Sequence, residues 1–108
     1  MKKLGRLPRK EFRARGYHAV QSNLFLLKIK KNNIGKVRVG VVVGVGVSKS
    51  AARRNFLKRQ ARSGLALAIE KGTDALIVIS PAATKTTKKQ LREELARAAA
   101  NKEWVAVK

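Results

Sequence analysis

Lys36-Val37-Arg38-Val39-Gly40-Val41-Val42-Val43, continued by Gly44-Val45-Gly46-Val47-Ser48-Lys49-Ser50, decides the fold. The stretch first alternates polar and apolar residues and then becomes a continuous valine run. β-Branched runs of this kind fit a strand buried on both faces. The glycines at 40, 44 and 46 indicate a bulge or a close backbone approach. Ser48 or Ser50 supplies an N-cap for a helix running to about residue 70. Gly72-Thr73 ends that helix. Asp74-Ala75-Leu76-Ile77-Val78-Ile79-Ser80 then returns as a second buried strand, stopped by Pro81. Strand, helix and strand make a βαβ crossover.

Working outward, Leu24-Phe25-Leu26-Leu27-Lys28-Ile29-Lys30-Lys31 reads as a strand. Asn32-Asn33-Ile34-Gly35 supplies turn chemistry, so this strand and the valine strand are predicted to pair as a hairpin. Residues 1–22 read as a basic arm with about one helical turn over residues 9–15. Thr87-Lys88-Lys89-Gln90 fits a capping box for a helix to about Ala100, with Leu91 and Leu95 at helical spacing. Trp104-Val105-Ala106-Val107 reads as a short added strand, with Trp104 capping a hydrophobic edge. A hairpin beside a crossover gives a mixed sheet in an α/β (α+β) two-layer sandwich. The expected organisation is one domain over residues 1–108, with its sandwich core at 23–100.

The charge is lopsided. The 108 residues carry 26 Lys+Arg against 6 Asp+Glu, a net charge of +20. Between residues 12 and 69 there is no carboxylate at all, while 13 Lys or Arg fall in that run. Such a charge opposes compaction unless an anion neutralises it. A nucleic acid is the partner that fits. Disorder is the competing reading of such a charge, but a composition that is 44% hydrophobic can supply a core.

Other classes drop out. The absence of cysteine removes disulfides and thiolate sites. One histidine, His18, excludes a multi-histidine metal centre and argues against a Ser-His-Asp triad. Beside Tyr17 it reads as an ordinary surface pair. No apolar run approaches the 18 or so residues of a membrane span, and no secretory h-region follows the basic start. A cytoplasmic protein with no membrane partner is expected. The Gly44–Ser50 loop is not a P-loop, which needs glycine at 43 and 48 where Val43 and Ser48 stand. No paired carboxylates suggest a protein-built active site, so no catalytic and no metal-ligating residues are assigned.

The predicted central helix carries the candidate site. At 100° per residue, Phe56, Leu57, Gln60, Gly64, Leu67 and Ala68 gather on one side. Arg54, Asn55, Lys58, Arg59 and Arg62 gather on the other, with Arg53 on the core-side flank. Like charges at i, i+4 oppose an isolated helix by a few tenths of a kcal/mol each. Phosphates on the outer side remove that repulsion. Lys49 stands at the helix start, where free N–H groups also favour an anion. A solvated basic face is the plainer alternative. Gly64 costs about 1 kcal/mol against alanine in a helix. Close packing on the sheet, or a helix break at Ser63-Gly64, explains it.

Val47-Ser48-Lys49-Ser50-Ala51-Ala52-Arg53-Arg54-Asn55-Phe56-Leu57-Lys58-Arg59-Gln60-Ala61-Arg62 resembles the signature of the bacterial ribonuclease P protein component, roughly V-S-K-x-A-x-x-R-N-x-x-K-R-x-x-R. Arg6-Leu7-Pro8-Arg9-Lys10-Glu11-Phe12 is similar to the family's N-terminal start. The resemblance implies an α/β sandwich with a left-handed βαβ crossover, against the usual right-handed rule, as in a small-subunit ribosomal protein domain. It implies a monomeric, non-catalytic protein subunit of an RNA-based endoribonuclease. The partners are then a catalytic RNA and precursor tRNA, whose 5′ leader is removed. Mg²⁺ is the implied cofactor, held mainly by the RNA. Lys49, Arg53, Arg54, Asn55, Lys58, Arg59 and Arg62 then face the catalytic RNA. Phe12, and Phe25 on the first strand, are implied to line a cleft for the single-stranded leader. The family's longer first helix is here barely one turn, and Phe56 stands where an arginine is common. The alternative is a small basic ribosomal or ribosome-assembly RNA-binding protein.

Overall fold

The computed structural model describes residues 5–13, 15–66 and 68–100. The elements are β1 (Gly5–Arg6), a 3-10 helix (Arg9–Arg13), β2 (His18–Gln21), β3 (Phe25–Lys31), β4 (Arg38–Val42), α1 (Ala51–Ala66), β5 (Thr73–Ile79), a second 3-10 helix (Pro81–Lys85) and α2 (Lys88–Ala100). The added strand expected around Trp104 lies outside the described residues.

One mixed sheet forms, in the order β1-β4-β5-β3-β2. β5 runs antiparallel to β3 and parallel to β4. This corrects the expected hairpin. β3 and β4 remain antiparallel, but they stand one strand apart and β5 fills the gap. The reason is burial. Every β5 residue except Val78 is buried. β3 and β4, by contrast, carry Lys28, Lys30 and Arg38 on one face, and a central slot suits the most apolar strand. The actual hairpin is β2 with β3, from His18↔Ile29 to Gln21↔Leu26. Part of the expected free arm is thus sheet.

The helices cover one face. Phe25, Leu27 and Ile29 of β3, Val39 of β4 and Ala75, Ile77 and Ile79 of β5 meet Leu57, Ala61 and Leu65 of α1 and Leu91, Leu95 and Ala99 of α2. α1 begins as expected, with the Arg53 N–H donating to Ser50 Oγ at 3.2 Å. It ends at Ala66, a turn before the expected end. In α2 the Gln90 N–H donates to Thr87 Oγ1 at 3.1 Å, as an N-cap requires. Gly64 is a helix–helix contact, neither a sheet contact nor a break. A Cβ there would lie 2.6 Å from the Arg92 Cα.

The opposite face is partly roofed by the N-terminal segment. Leu7 and Leu76 are buried there, outside the main core. Asp74 is fully buried and bound by three donors on that face. Arg38 Nε and Nη2 reach its two oxygens at 2.8 and 2.6 Å, and Asn32 Nδ2 donates at 2.7 Å. Burial alone would raise the Asp74 pKa. The hydrogen bonds and neighbouring cations outweigh it and hold the carboxyl below the usual range.

Candidate nucleic-acid interface

The buried stripe of α1 is Leu57, Ala61, Gly64 and Leu65. Around it the cations divide into three groups. Asn55, Lys58 and Arg62 point along one shoulder, toward the edge of β4. Arg59 is exposed on the outer face. Arg53 turns to the other shoulder, where its guanidinium donates to the Thr84 carbonyl at 2.8 Å. Phe56 is a correction. Expected on the core side, it is 39% exposed, because the buried stripe is centred one residue further round the helix.

The first shoulder forms one wall of an open groove of about 760 Å³. Arg6, Arg9 and Phe12 from the N-terminal segment form the other wall, and the end of β4 makes the floor. A set of contacts places that second wall. The Gly5 and Leu7 N–H groups donate to the Val37 and Val39 carbonyls at 2.8 and 3.2 Å, tying β1 to β4. The Phe12 ring fills the space above Gly40, so Gly40 marks the close approach its sequence position suggested. Glu11 then pairs with Lys30 on β3 at 3.3 Å. The Lys30 ammonium sits 4.8 Å from the Tyr17 ring centroid. Tyr17 donates its hydroxyl to the Glu11 carbonyl at 2.9 Å. Burial, followed by the charges of Asp74 and Glu11, pushes its pKa up to about 12. The short 3-10 helix therefore spans the open face from β4 to β3, held at both ends.

Arg62 closes the inner end of the groove. Its Nη2 donates to the Val39 carbonyl at 3.1 Å, the same oxygen that accepts from Leu7. Burial, and then the nearby Arg6, lower its pKa. Two guanidinium groups at one groove end offer the charge and the donor geometry that suit an anion. Arg54 folds back on the Ser48 carbonyl at 2.9 Å, and this fixes the turn before α1. Lys49 is exposed in that turn.

The structure thus gathers Phe12, Asn55, Lys58 and Arg62 in one groove. Lys49, Arg54 and Arg59 lie on adjoining surface, and Arg53 lies beyond the helix crest. Phe25 is not among them. It is 1% exposed, on the helix-covered face, and its role is core packing. Arg6 and Arg9 were not singled out in the sequence, because a cation in a basic arm carries no distinguishing pattern. Among the described residues no group of three or more His, Asp or Glu could hold a metal ion. No described helix is long and apolar enough to cross a membrane.

Comparison with known proteins gives one family. A family model described as Ribonuclease P matches residues 3–103. The ribonuclease P protein component of Chromobacterium violaceum is 36% identical over 74 residues, which are 68% of this chain and 60% of that protein. The RNase P protein from Thermotoga maritima, solved in complex with 1-(4-fluorophenyl)-2-thiourea, superposes with a TM-score of 0.70 at 25% identity, covering 79% of this chain and 85% of that one. The Staphylococcus aureus RNase P protein shares the fold, with a TM-score of 0.66 at 24% identity over 76% of this chain and 77% of that one.

Proposed function

Because this chain belongs to the ribonuclease P protein family, we propose that it is the protein subunit of that endoribonuclease, assisting removal of the 5′ leader from precursor tRNA. The groove between Phe12 and the Asn55–Lys58–Arg62 shoulder carries this reading, because it joins one aromatic ring to several cations. That is the chemistry of a channel for unpaired RNA: cations follow the backbone and the ring stacks on a base of any identity. The exposed cations Lys49 and Arg59, with Lys58, face a second RNA, the catalytic one. With the family assigned, the ribosomal alternative is not favoured.

In this reading the catalytic groups and the Mg²⁺ ions belong to the RNA. The protein's residues bind and orient. Arg62 is prepositioned by its bond to the β4 backbone, so little side-chain entropy is lost when it meets a phosphate. Phe12 is held on Gly40 in the same way. Cations placed against RNA phosphates relieve their mutual repulsion, work that otherwise falls to Mg²⁺. The cytoplasm is the compartment that holds such a substrate.

The test is reconstitution of the chain with a bacterial ribonuclease P RNA transcript at low Mg²⁺. Precursor tRNA cleavage is expected to speed up, and protein-dependent binding to strengthen as the leader lengthens. Equal cleavage with and without protein would overturn the reading.

A further inference from the structure

Across the crest of α1 from the groove lies a second surface. Phe56 is half-exposed there beside a small hollow of about 70 Å³, whose rim includes Arg53, Gln60, Thr87 and Lys88. Of the described aromatic residues, Phe12 and Tyr17 are half-buried and Phe25 is in the core. Phe56 alone is exposed. Phe56 lines the hollow together with Leu57, Ala83 and Leu91, yet more than a third of it still faces solvent.

Its surroundings say what it meets. Arg53 is pinned to the Thr84 carbonyl, so one guanidinium is fixed near the ring. Lys85, Lys88 and Lys89 follow on the second 3-10 helix and the start of α2, all exposed. Among the described residues none of these cations is ion-paired. No carboxylate lines the hollow. Helical phase turns Glu94 of α2 away from α1 and sets Glu93 one turn from Lys89, outside the hollow, while Arg92 packs against Gly64. A protein partner seated on this ring would have to bring carboxylates for Arg53, Lys85 and Lys88. A polynucleotide brings a flat apolar base for the ring and phosphates for the cations in every residue.

We propose that Phe56 is a stacking platform for an unpaired base of the catalytic RNA, with Arg53 and Lys88 on the flanking phosphates. The proposal rests on the reading of the chain as a ribonuclease P subunit. It adds an RNA contact on the α1–α2 side, separate from the groove. The ring contributes stacking, which salt does not screen, where the rest of the interface contributes charge.

The experiment uses the full chain with a bacterial ribonuclease P RNA transcript, with melting curves as a folding control. Phe56→Leu keeps apolar bulk and loses the aromatic face. It should weaken RNA binding about fivefold to 100-fold with an unchanged salt slope. Phe56→Trp in a Trp104→Phe background should bind as well as its parent, and its emission should be quenched as RNA saturates. Binding within twofold of the parent for Phe56→Leu, or unquenched tryptophan at saturation, overturns the proposal. If Lys58→Ala and Arg59→Ala still weaken binding in that event, only the stacking site falls. If none of the variants matters, the ribonuclease P reading falls too.

Discussion

The edge of the Phe12 ring occupies the space that a side chain at Gly40 would need. A Cβ on Gly40 would lie 2.7 Å from Phe12 Cε1 and 2.9 Å from Cζ. Gly40 is required for room, because its φ is not in the left-handed region. The ring in turn stands opposite Asn55 and Lys58 across the groove.

Gly40→Ala therefore evicts the ring while β4 stays paired on both sides. Strain is expected to cost about 1–2 kcal/mol, read as a lower melting temperature. The functional signature is weaker binding of leader-bearing precursor tRNA, with affinity for the catalytic RNA alone preserved. Gly40→Ala and Phe12→Leu should be strongly non-additive for leader binding, as touching residues are.

Lys58→Ala and Arg59→Ala should each reduce the slope of log K against log salt by about 0.7–0.9 for each phosphate left without its cation. Arg62→Ala should do the same and also lower stability by about 0.5–1.5 kcal/mol, because its hydrogen bond to the Val39 carbonyl is removed. Salt titrations beside denaturant melts separate the two effects.

Asp74 makes stability depend on acid. Its folded-state pKa is depressed below the unfolded value near 3.9. The stability it contributes is full above that unfolded value and is lost as pH falls through the lower folded one. Asp74→Asn should flatten this decline as pH falls below about 4. At pH 7 Arg38→Met, which leaves a buried carboxylate unpaired, should cost about 2–3 kcal/mol. That is less than the roughly 3–5 kcal/mol of a fully buried pair, because Arg38 is partly exposed. Melting curves against pH check both.

Gly64→Ala sets a local gain against a packing penalty. Helix propensity improves by about 1 kcal/mol. The new methyl, however, meets backbone, with the Arg92 Cα at 2.6 Å and its carbonyl oxygen at 2.8 Å. Backbone cannot rotate aside as a side chain can, so net destabilisation of about 1–2 kcal/mol is expected in thermal melts.

The legible parts of the fold were those with local causes. The valine run, the 73–79 strand and the caps at Ser50 and Thr87 identify their elements without reference to anything distant. The strand order has no local cause, since β3 and β4 flank a well-formed turn and would pair if β5 were not more apolar. β2 was missed because His18-Ala19-Val20-Gln21 is half-exposed and has no apolar run. On α1 the pattern identifies the basic residues, but helical phase groups Phe56 with Leu57 and Gln60, one residue off the stripe that is buried. The helix buries two leucines, an alanine and a glycine instead. Arg6 and Arg9 acquire meaning only once β1 docks beside β4.

The position of β5 has a further consequence during synthesis. Chains emerge N-terminus first, and β4 has its central partner 36 residues downstream, as the Arg38–Asp74 pair records. Until residues 73–79 leave the ribosome, neither β3 nor β4 has a strand between them to pair with. Among the described strands β5 is made last, and the sheet needs it to join β4 to β3. A nascent chain stopped before Thr73 can form the β2–β3 hairpin and the α1 helix, but it has no two-layer core to keep them folded.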